Sequence, residues 1–131
     1  MNTKVLIIDD VSVNIKLLEA HLKNQPFIVF SAMSGQAGID IAIKEQPDII
    51  LLDVMMPVMT GFDTCKILKS IPATKNIPVV FVTALNDDSS ERDGFIAGGI
   101  DFITKPVKST ISIRIRKILE SEPVINSEPV I

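Results

Sequence analysis

The sequence predicts an α/β domain in which five parallel strands and five helices alternate to form a doubly wound sheet. Short aliphatic runs alternate along the chain with segments of helical periodicity, and most of these runs lack the alternating polar residues of a half-exposed strand. The chain has 131 residues, of which 47% are hydrophobic and 22% are charged. This length and composition are those of one globular domain rather than of a disordered chain. Right-handed crossovers would then place helices on both faces of the sheet.

The predicted strands are rich in Val, Ile, Leu and Phe. They are Val5–Ile8, Ile28–Phe30, Ile49–Leu52, Val79–Val82 and Phe102–Ile103. Because such runs are typical of strands buried on both faces, they indicate a parallel sheet that is covered by helices on each side.

Four helices are predicted between these strands. The first follows from four apolar residues at helical spacing, Val11, Ile15, Leu18 and Leu22, and the third from Phe62, Cys65 and Leu68. Ser34 is typical of an N-cap and predicts a second helix over Gly35–Glu45. The fourth is predicted around Ser89–Ala97, where the internal Gly94 costs about 1 kcal/mol relative to alanine.

The last periodic segment is compatible with two structures. Ile111, Ile113 and Ile115 alternate with polar residues, which is typical of a strand. A helical stripe is also present, formed by Val107, Ile111, Ile115 and Ile118. We predict a helix because four strand–helix units precede it and because Lys and Arg are enriched towards its end. Ile113 then points away from the core, and we expect it to be exposed and available to a partner.

The charge balance and the scarcity of cysteine and histidine argue against several classes of function. Thirteen Lys and Arg against 16 Asp and Glu give a net charge of −3, so a broad nucleic-acid-binding surface is not indicated. Cys65 is the single cysteine, so no internal disulfide can form, and we predict that it is a core residue. His21 is the single histidine, so a metal site with several histidines is excluded. We predict that His21 is solvated or caps a helix. We expect a cytoplasmic protein without a membrane segment, because no apolar stretch spans a bilayer and no signal peptide is recognisable.

Polar and ionisable residues follow the predicted strands, at the edge where ligands bind in such sheets. Asp9 and Asp10 follow the first strand, and Asp53 follows the third. Thr83 ends the fourth strand and Lys105 follows the fifth. Considered alone, each of three residues has a simple structural explanation. Asp10 would be a helix N-cap, Thr83 would be an ordinary strand residue and Lys105 would be a solvated lysine. Asp53 is different, because an ionised carboxylate within an apolar run is costly unless it is paired.

These residues together suggest phosphoryl transfer. Three neighbouring carboxylates repel one another unless a cation neutralises them, and a site that offers only oxygen ligands favours Mg²⁺. A carboxylate beside Mg²⁺ can attack phosphorus and form an aspartyl phosphate. Lys105 would neutralise charge on the transferring group, and the Thr83 hydroxyl would donate a hydrogen bond to one of its oxygens. The residues therefore predict Asp53 as the acceptor.

Four motifs occur in a fixed order along the chain. They are VLIIDD at residues 5–10, DIILLDVMMP at 48–57 followed by Gly61, PVVFVTA at 78–84 and DFITKP at 101–106. In this order they resemble the receiver domain of two-component response regulators, over Lys4 to about Glu120. Residues 48–84 are most similar to receivers of cyclic-di-GMP enzymes. We accordingly expect a receiver domain at residues 1–120 and a linker or C-terminal tail at 121–131.

The resemblance implies a flavodoxin-like sheet and a metal site. The strand order would be 2-1-3-4-5, and the Lys105–Pro106 bond would be cis. Asp53 would accept the phosphoryl group from a sensor histidine kinase or a phosphotransfer protein. Asp9 and Asp10 would hold Mg²⁺ together with Asp53 and the backbone carbonyl of Met55.

The resemblance also implies a conformational switch. Thr83 and Phe102 would be the switch pair, and Lys105 would sense the phosphate. As Thr83 moves inward, Phe102 would fill the vacated space and alter the face built from the fourth helix, the fifth strand and the fifth helix. The alternative is that Phe102 is a static core aromatic.

Several positions depart from the usual receiver pattern. Thr60 stands where an aspartate commonly precedes the glycine, and Gly38 and Gly94 lie inside helices, which indicates lower local stability. The apolar Met55 and Leu85 stand two residues beyond the acceptor and the switch threonine. We expect that they neither orient nor activate a water, so that the phosphorylated state is long-lived. Of the three methionines Met55, Met56 and Met59, we expect at least two to pack into the core.

Two other functions are compatible with these residues. The first is a Mg²⁺-dependent phosphohydrolase with Asp53 as nucleophile, although such enzymes usually have a second aspartate two residues later, where this chain has Met55. The second is an interaction module that is never phosphorylated, against which the complete acidic cluster argues. The receiver itself would be no enzyme beyond slow self-phosphorylation and self-dephosphorylation.

The C-terminal tail contains a short repeat. The segment SEPVI occurs at residues 121–125 and again at 127–131. Because proline and glutamate discourage a regular helix, we predict an extended linker. It would lead to an output domain in a longer chain or pack on a second copy of this one in a homodimer.

Overall fold

Strands and helices alternate strictly in the computed structural model, which describes residues 2–127 and their side chains as far as Ser121. The strands are β1 Thr3–Ile8, β2 Phe27–Ala32, β3 Ile49–Leu52, β4 Val79–Thr83 and β5 Asp101–Thr104. The helices are α1 Ser12–Leu22, α2 Gly35–Glu45, α3 Gly61–Ser70, α4 Asp88–Ala97 and α5 Ile111–Ser127. Each predicted element is present, with boundaries that shift by a few residues.

The strands form one parallel sheet in the order β2-β1-β3-β4-β5, which confirms the predicted fold class and strand order. β1, β3 and β4 occupy the middle of the sheet, and their aliphatic residues from Val5 to Ile8, Ile49 to Leu52 and Val79 to Val82 are buried. β2 was predicted to be buried on both faces, which is wrong. It is an edge strand, and Ile28 is 42% exposed.

Helices cover both faces of the sheet, as right-handed crossovers require. On one face, Leu6, Ile50 and Phe81 pack with residues of α2, α3 and α4, including the buried Cys65. Burial raises the pKa of the Cys65 thiol to about 11, so it behaves as a core side chain. On the other face, residues of α1 and α5 such as Leu18 pack with the alternate strand residues.

The first three helices begin with different residues at their N-caps. Val11 is the exposed residue before α1 rather than part of its buried stripe, which consists of Ile15, Leu18 and Leu22. Ser34 caps α2 by accepting a hydrogen bond from the amide of Ala37, as predicted. Thr60, which departs from the family pattern, caps α3 through a capping box with Asp63. The spacing T-x-x-D was visible in the sequence but was not recognised there.

Three glycines allow close approach between elements. A Cβ on Gly38 would overlap the side chain of Ile8, so its absence lets α2 pack onto β1. A Cβ on Gly94 would come 3.1 Å from Phe81 and 3.2 Å from Phe102, so α4 packs tightly over these rings. A Cβ on Gly61 would overlap the backbone carbonyl oxygen of Asp53. These glycines therefore have a packing role that the sequence alone did not reveal.

α5 extends further than predicted. It begins at Ile111, buries Ile115 and leaves Ile113 53% exposed, which confirms the helical interpretation and the exposed isoleucine. It continues to Ser127 instead of giving way to an extended linker at residue 121. A proline such as Pro123 removes one backbone hydrogen bond but does not necessarily end a helix. Most of the second SEPVI copy, at 128–131, lies outside the described residues, as does any packing of the tail end on a partner. Within the described part of the chain, no helix is both long and apolar enough to cross a membrane.

Replacing Gly61 by alanine should destabilise the protein by about 1–3 kcal/mol, because the new Cβ meets the fixed backbone of Asp53 and not a flexible side chain. The chain has no Trp or Tyr, so urea unfolding is best followed by circular dichroism. Thr60→Ser, which keeps the capping hydroxyl, is the control with an unchanged midpoint. A Gly61→Ala protein as stable as the wild type would show that the backbone can move there.

Candidate functional site

The carboxyl ends of parallel strands meet at one edge of the sheet, and this brings the predicted site residues together. One carboxylate oxygen from each of Asp9, Asp10 and Asp53 lies within 4.8 Å of the other two. Asp9 and Asp10 directly follow β1, and Asp53 directly follows the neighbouring strand β3. Asp10 is not the N-cap of α1, since that position is Val11. The predicted acidic cluster is therefore present.

Asp9 is held in place by hydrogen bonds to both of its carboxylate oxygens. Oδ1 accepts a hydrogen bond from the amide of Val11 at 2.9 Å and a longer one from Nδ2 of Asn14 at 3.5 Å. Oδ2 accepts one from Nζ of Lys105 at 2.8 Å. Asn14 is a site neighbour that the sequence analysis missed, although its position in the first turn of α1 could have indicated it.

Asp53 is only 6% exposed, and its carboxylate experiences opposing effects. Burial raises its pKa most strongly, and the nearby Asp9 raises it further. The ammonium of Lys105, 3.6 Å from Oδ2, lowers the pKa, as do hydrogen bonds from the Thr83 side chain and the Met55 backbone. The net result is a raised pKa. The positive charge of Lys105 therefore does not fully offset the cost of the buried carboxylate.

Lys105 reaches the cluster from the loop after β5. Its backbone amide donates to the carbonyl oxygen of Thr83 at 2.8 Å, which ties the loop to the end of β4. The peptide bond to Pro106 is cis, as the resemblance implied. Lys105 is thus an ion-paired lysine of the site and not a solvated one.

Thr83 and Phe102 lie on neighbouring strands. Thr83 is fully buried, and its hydroxyl accepts a long hydrogen bond of 3.4 Å from the amide of Leu85. Phe102 is 8% exposed and packs against Phe81, with ring centroids 6.1 Å apart. α4 contacts both rings at Gly94. Phe81 of β4, Phe102 of β5 and Gly94 of α4 therefore pack together on this side of the sheet.

The loop after Asp53 places its methionines differently. Met56 is buried and Met59 is packed against the core, which confirms that at least two of the three are core residues. Met55 is 60% exposed. Leu85 is partly buried against the core. The use of the Met55 carbonyl as a metal ligand stays a prediction.

His21 lies partly exposed in the last turn of α1. Its Nε2 lies 3.1 Å from the carbonyl oxygen of Val107, in the loop before α5. Because α1 and α5 pack on the same face of the sheet, the ring reaches that loop and does not cap a helix.

The charges of the cluster fit a divalent cation. Three carboxylates face one ammonium group, so formal negative charge exceeds positive charge in the cluster. The ligand atoms on offer are oxygens, which Mg²⁺ prefers. The residues present therefore fit Mg²⁺.

The fold and the acidic site define a class of protein, the CheY-like receivers, and sequence comparison identifies the family. The response regulator receiver domain profile matches residues 5–116. The chain belongs to the receiver domains of two-component response regulators.

Individual relatives are similar over most of this chain but are much longer. Response regulator PleD of Caulobacter vibrioides is 41% identical over 127 residues, which are 96% of this chain and 28% of PleD. A "Probable cyclic di-GMP phosphodiesterase" of Vibrio cholerae is 35% identical over 79% of this chain and 23% of that protein. Among solved structures, the chemotaxis protein CheY4 of Vibrio cholerae has a TM-score of 0.82 and 26% identity, and the match covers 91% of this chain and 99% of CheY4. The chain thus spans about a quarter of the two longer relatives.

Replacing Asp53 by asparagine should stabilise the protein in metal-free buffer at neutral pH. A carboxyl group whose pKa is higher in the folded than in the unfolded state lowers stability as the pH rises from its unfolded value, near 3.8, through its folded value. Asparagine removes this cost, so thermal melting at pH 7 should occur at a higher temperature. The difference should shrink towards zero below about pH 4. A variant that melts below the wild type at pH 7 would contradict the direction of the shift.

Proposed function

We propose that this chain is a phosphoacceptor switch in which Asp53 accepts a phosphoryl group from the phosphohistidine of a sensor histidine kinase or a phosphotransfer protein. The convergence of three carboxylates and one lysine at the edge of the sheet is the observation that carries this proposal. Membership of the receiver family supports it, because receiver domains are signalling switches. The location that we infer is the cytoplasm, where such donors act.

The transfer step makes one bond and breaks one. A carboxylate oxygen of Asp53 attacks phosphorus as the P–N bond of the donor breaks, and the electron pair of that bond stays on the imidazole nitrogen. Lys105 and Thr83 favour the ionised, nucleophilic form of Asp53. In the proposed reaction, Lys105 would also neutralise the new phosphoryl oxygens and the Thr83 hydroxyl would donate a hydrogen bond to one of them.

A Mg²⁺ ion would be held by Asp9, Asp10, Asp53 and the backbone carbonyl of Met55. When bound, it would neutralise negative charge on the transferring group and on the cluster. The contribution of this chain is the placement of three carboxylate oxygens within 4.8 Å. Burial of Asp9 and Asp53 restricts water and strengthens their electrostatic interactions.

The phosphoryl group would be sensed by the face formed by α4, β5 and α5. Phosphorylation adds about −1.5 to −2 charges beside Thr83 and Lys105, which would draw both groups towards the phosphate. A shift of Thr83 would change the space beside Phe102, and α4 would respond because Gly94 packs against that ring. This face also exposes Ile96 and Ile113, at 71% and 53%, as contacts for a second copy or an output domain.

The output of the switch lies outside this receiver. Relatives that match it carry most of their length elsewhere, and we propose that residues 121–131 connect it to an output domain. The Vibrio cholerae relative makes cyclic-di-GMP turnover one candidate for the activity of such a domain.

A phosphohydrolase is less well supported. Catalysed turnover of a phosphate ester needs a group to activate water, and the position two residues beyond Asp53 is the exposed, apolar Met55. His21 is engaged with the Val107 carbonyl on the α1–α5 side of the sheet. A module that is never phosphorylated would keep this charged cluster at a cost to stability.

Incubation with acetyl phosphate and Mg²⁺ should add one phosphoryl group to the wild-type chain, detectable by intact mass spectrometry. Asp53→Ala should remain unmodified, and chelation of the metal should abolish the reaction with the wild type. Asp40→Asn, which alters an exposed carboxylate on α2, is the matched control that should be modified normally. Modification of Asp53→Ala to the wild-type extent would place the acceptor elsewhere, and an unmodified wild type would favour the unphosphorylated module.

The phosphorylated chain should be long-lived because Met55 and Leu85 offer no polar group to an attacking water. Leu85→Asn is expected to accelerate loss of the phosphoryl group several-fold in Mg²⁺ buffer, by orienting water near phosphorus. Leu85→Ala separates this effect from loss of apolar bulk and should change the rate less. Rapid loss from the wild type that Leu85→Asn does not alter would refute this explanation.

A further inference from the structure

The loop between β3 and α3 contains a residue in an unfavourable backbone conformation. Val58 has a φ angle of 69°, a region that β-branched residues rarely adopt. The carbonyl oxygen of Pro57 accepts a hydrogen bond from the amide of Met59 at 2.7 Å, so Val58 is the central residue of a γ-turn of the rare, strained type. Its side chain is fully exposed. Packing therefore gives no reason for a valine at this position.

The turn is held from both sides by contacts with the rest of the protein. Met56 is buried before it, and Met59 packs against the core after it. The sulfur of Met59 lies against α2, only 2.7 Å from where a Cβ on Gly35 would be. The carbonyl oxygen of Val54 accepts hydrogen bonds from the amides of Met56 at 3.1 Å and Gly61 at 2.8 Å. Strain at Val58 persists because these anchors fix the loop around it.

The same loop carries backbone groups of the site. The Met55 backbone lies close enough to the Asp53 carboxylate to lower its pKa, and Met55 also provides the carbonyl of the proposed metal site. A residue branched at Cβ has few backbone conformations near a positive φ, whereas glycine in the same position has many. Valine at this turn therefore narrows the range of shapes open to the loop, and glycine would widen it.

We infer that Val58 is a positioning residue whose restricted backbone keeps the loop in the shape that holds the Met55 backbone against Asp53. This inference rests on the proposed function, since it concerns the same metal and phosphoryl site. It assigns the effect to the backbone of Val58 and not to its exposed side chain. Strain is then the cost of a preorganised site.

Val58→Gly and Val58→Thr in the full chain test the inference. Val58→Gly should melt no lower than the wild type, because release of strain offsets the greater freedom of glycine in the unfolded chain. It should nevertheless bind Mg²⁺ several-fold more weakly in isothermal titration calorimetry and react more slowly with acetyl phosphate. Val58→Thr keeps the branched Cβ and should match the wild type in melting temperature and in Mg²⁺ affinity.

The possible outcomes separate the backbone role from its alternatives. An unchanged Mg²⁺ affinity in Val58→Gly would overturn the inference, as would an equal weakening in Val58→Thr, which would assign the effect to the side chain. A lower melting temperature in Val58→Gly would indicate general damage to the loop and would also count against it. The Mg²⁺ affinities of the wild type and of Asp53→Asn provide the reference values. If the wild type binds no Mg²⁺, the proposed function itself fails; if only Val58→Gly gives the unexpected result, the positioning role alone is refuted.

Discussion

The interaction on which this structure depends is the pairing of Lys105 with the buried carboxylates of Asp9 and Asp53. A parallel sheet brings the carboxyl ends of its strands to one edge, and here three acidic residues follow two adjacent strands. Lys105 contacts Asp9 at 2.8 Å and Asp53 at 3.6 Å. One ammonium group cannot neutralise three carboxylates, and burial of the Asp53 carboxylate raises its pKa as well. The imbalance is what makes the site suited to a divalent cation.

The surroundings of this cluster combine close packing with local strain. Gly61 allows α3 to begin directly against the backbone of Asp53, and Gly94 allows α4 to lie on Phe81 and Phe102. These contacts pack α3 and α4 closely against the sheet. The γ-turn at Val58 is part of the same packed region, because core residues anchor its loop on both sides. The close packing beside the acidic cluster and beneath α4 thus belongs to the same core.

Much of the site could be predicted because its polar residues directly follow apolar strands. The contrast in polarity makes both the strands and the site residues recognisable in the sequence. Asp53 follows an entirely apolar run, so its charge demanded a partner or a cation. Errors arose where tertiary contacts decide the environment. Val11 has the right spacing for α1 but precedes the helix, and Ile28 has strand character but lies on an edge strand. His21 was isolated in the sequence, and only the packing of α1 beside α5 explains its contact with Val107.

The alternation of elements, the parallel sheet and the members of the acidic cluster could be predicted from residue order alone, because hydrophobic periodicity and buried charge are local signals with a strong energetic basis. Three features emerge only from the fold: which oxygen of Asp9 contacts Lys105, how closely Gly38 and Gly94 pack on the sheet, and that Val58 has a positive φ angle. Those features depend on distances between elements far apart in the chain. Such distances follow from the packing of whole helices on the sheet, which no local pattern of residues records.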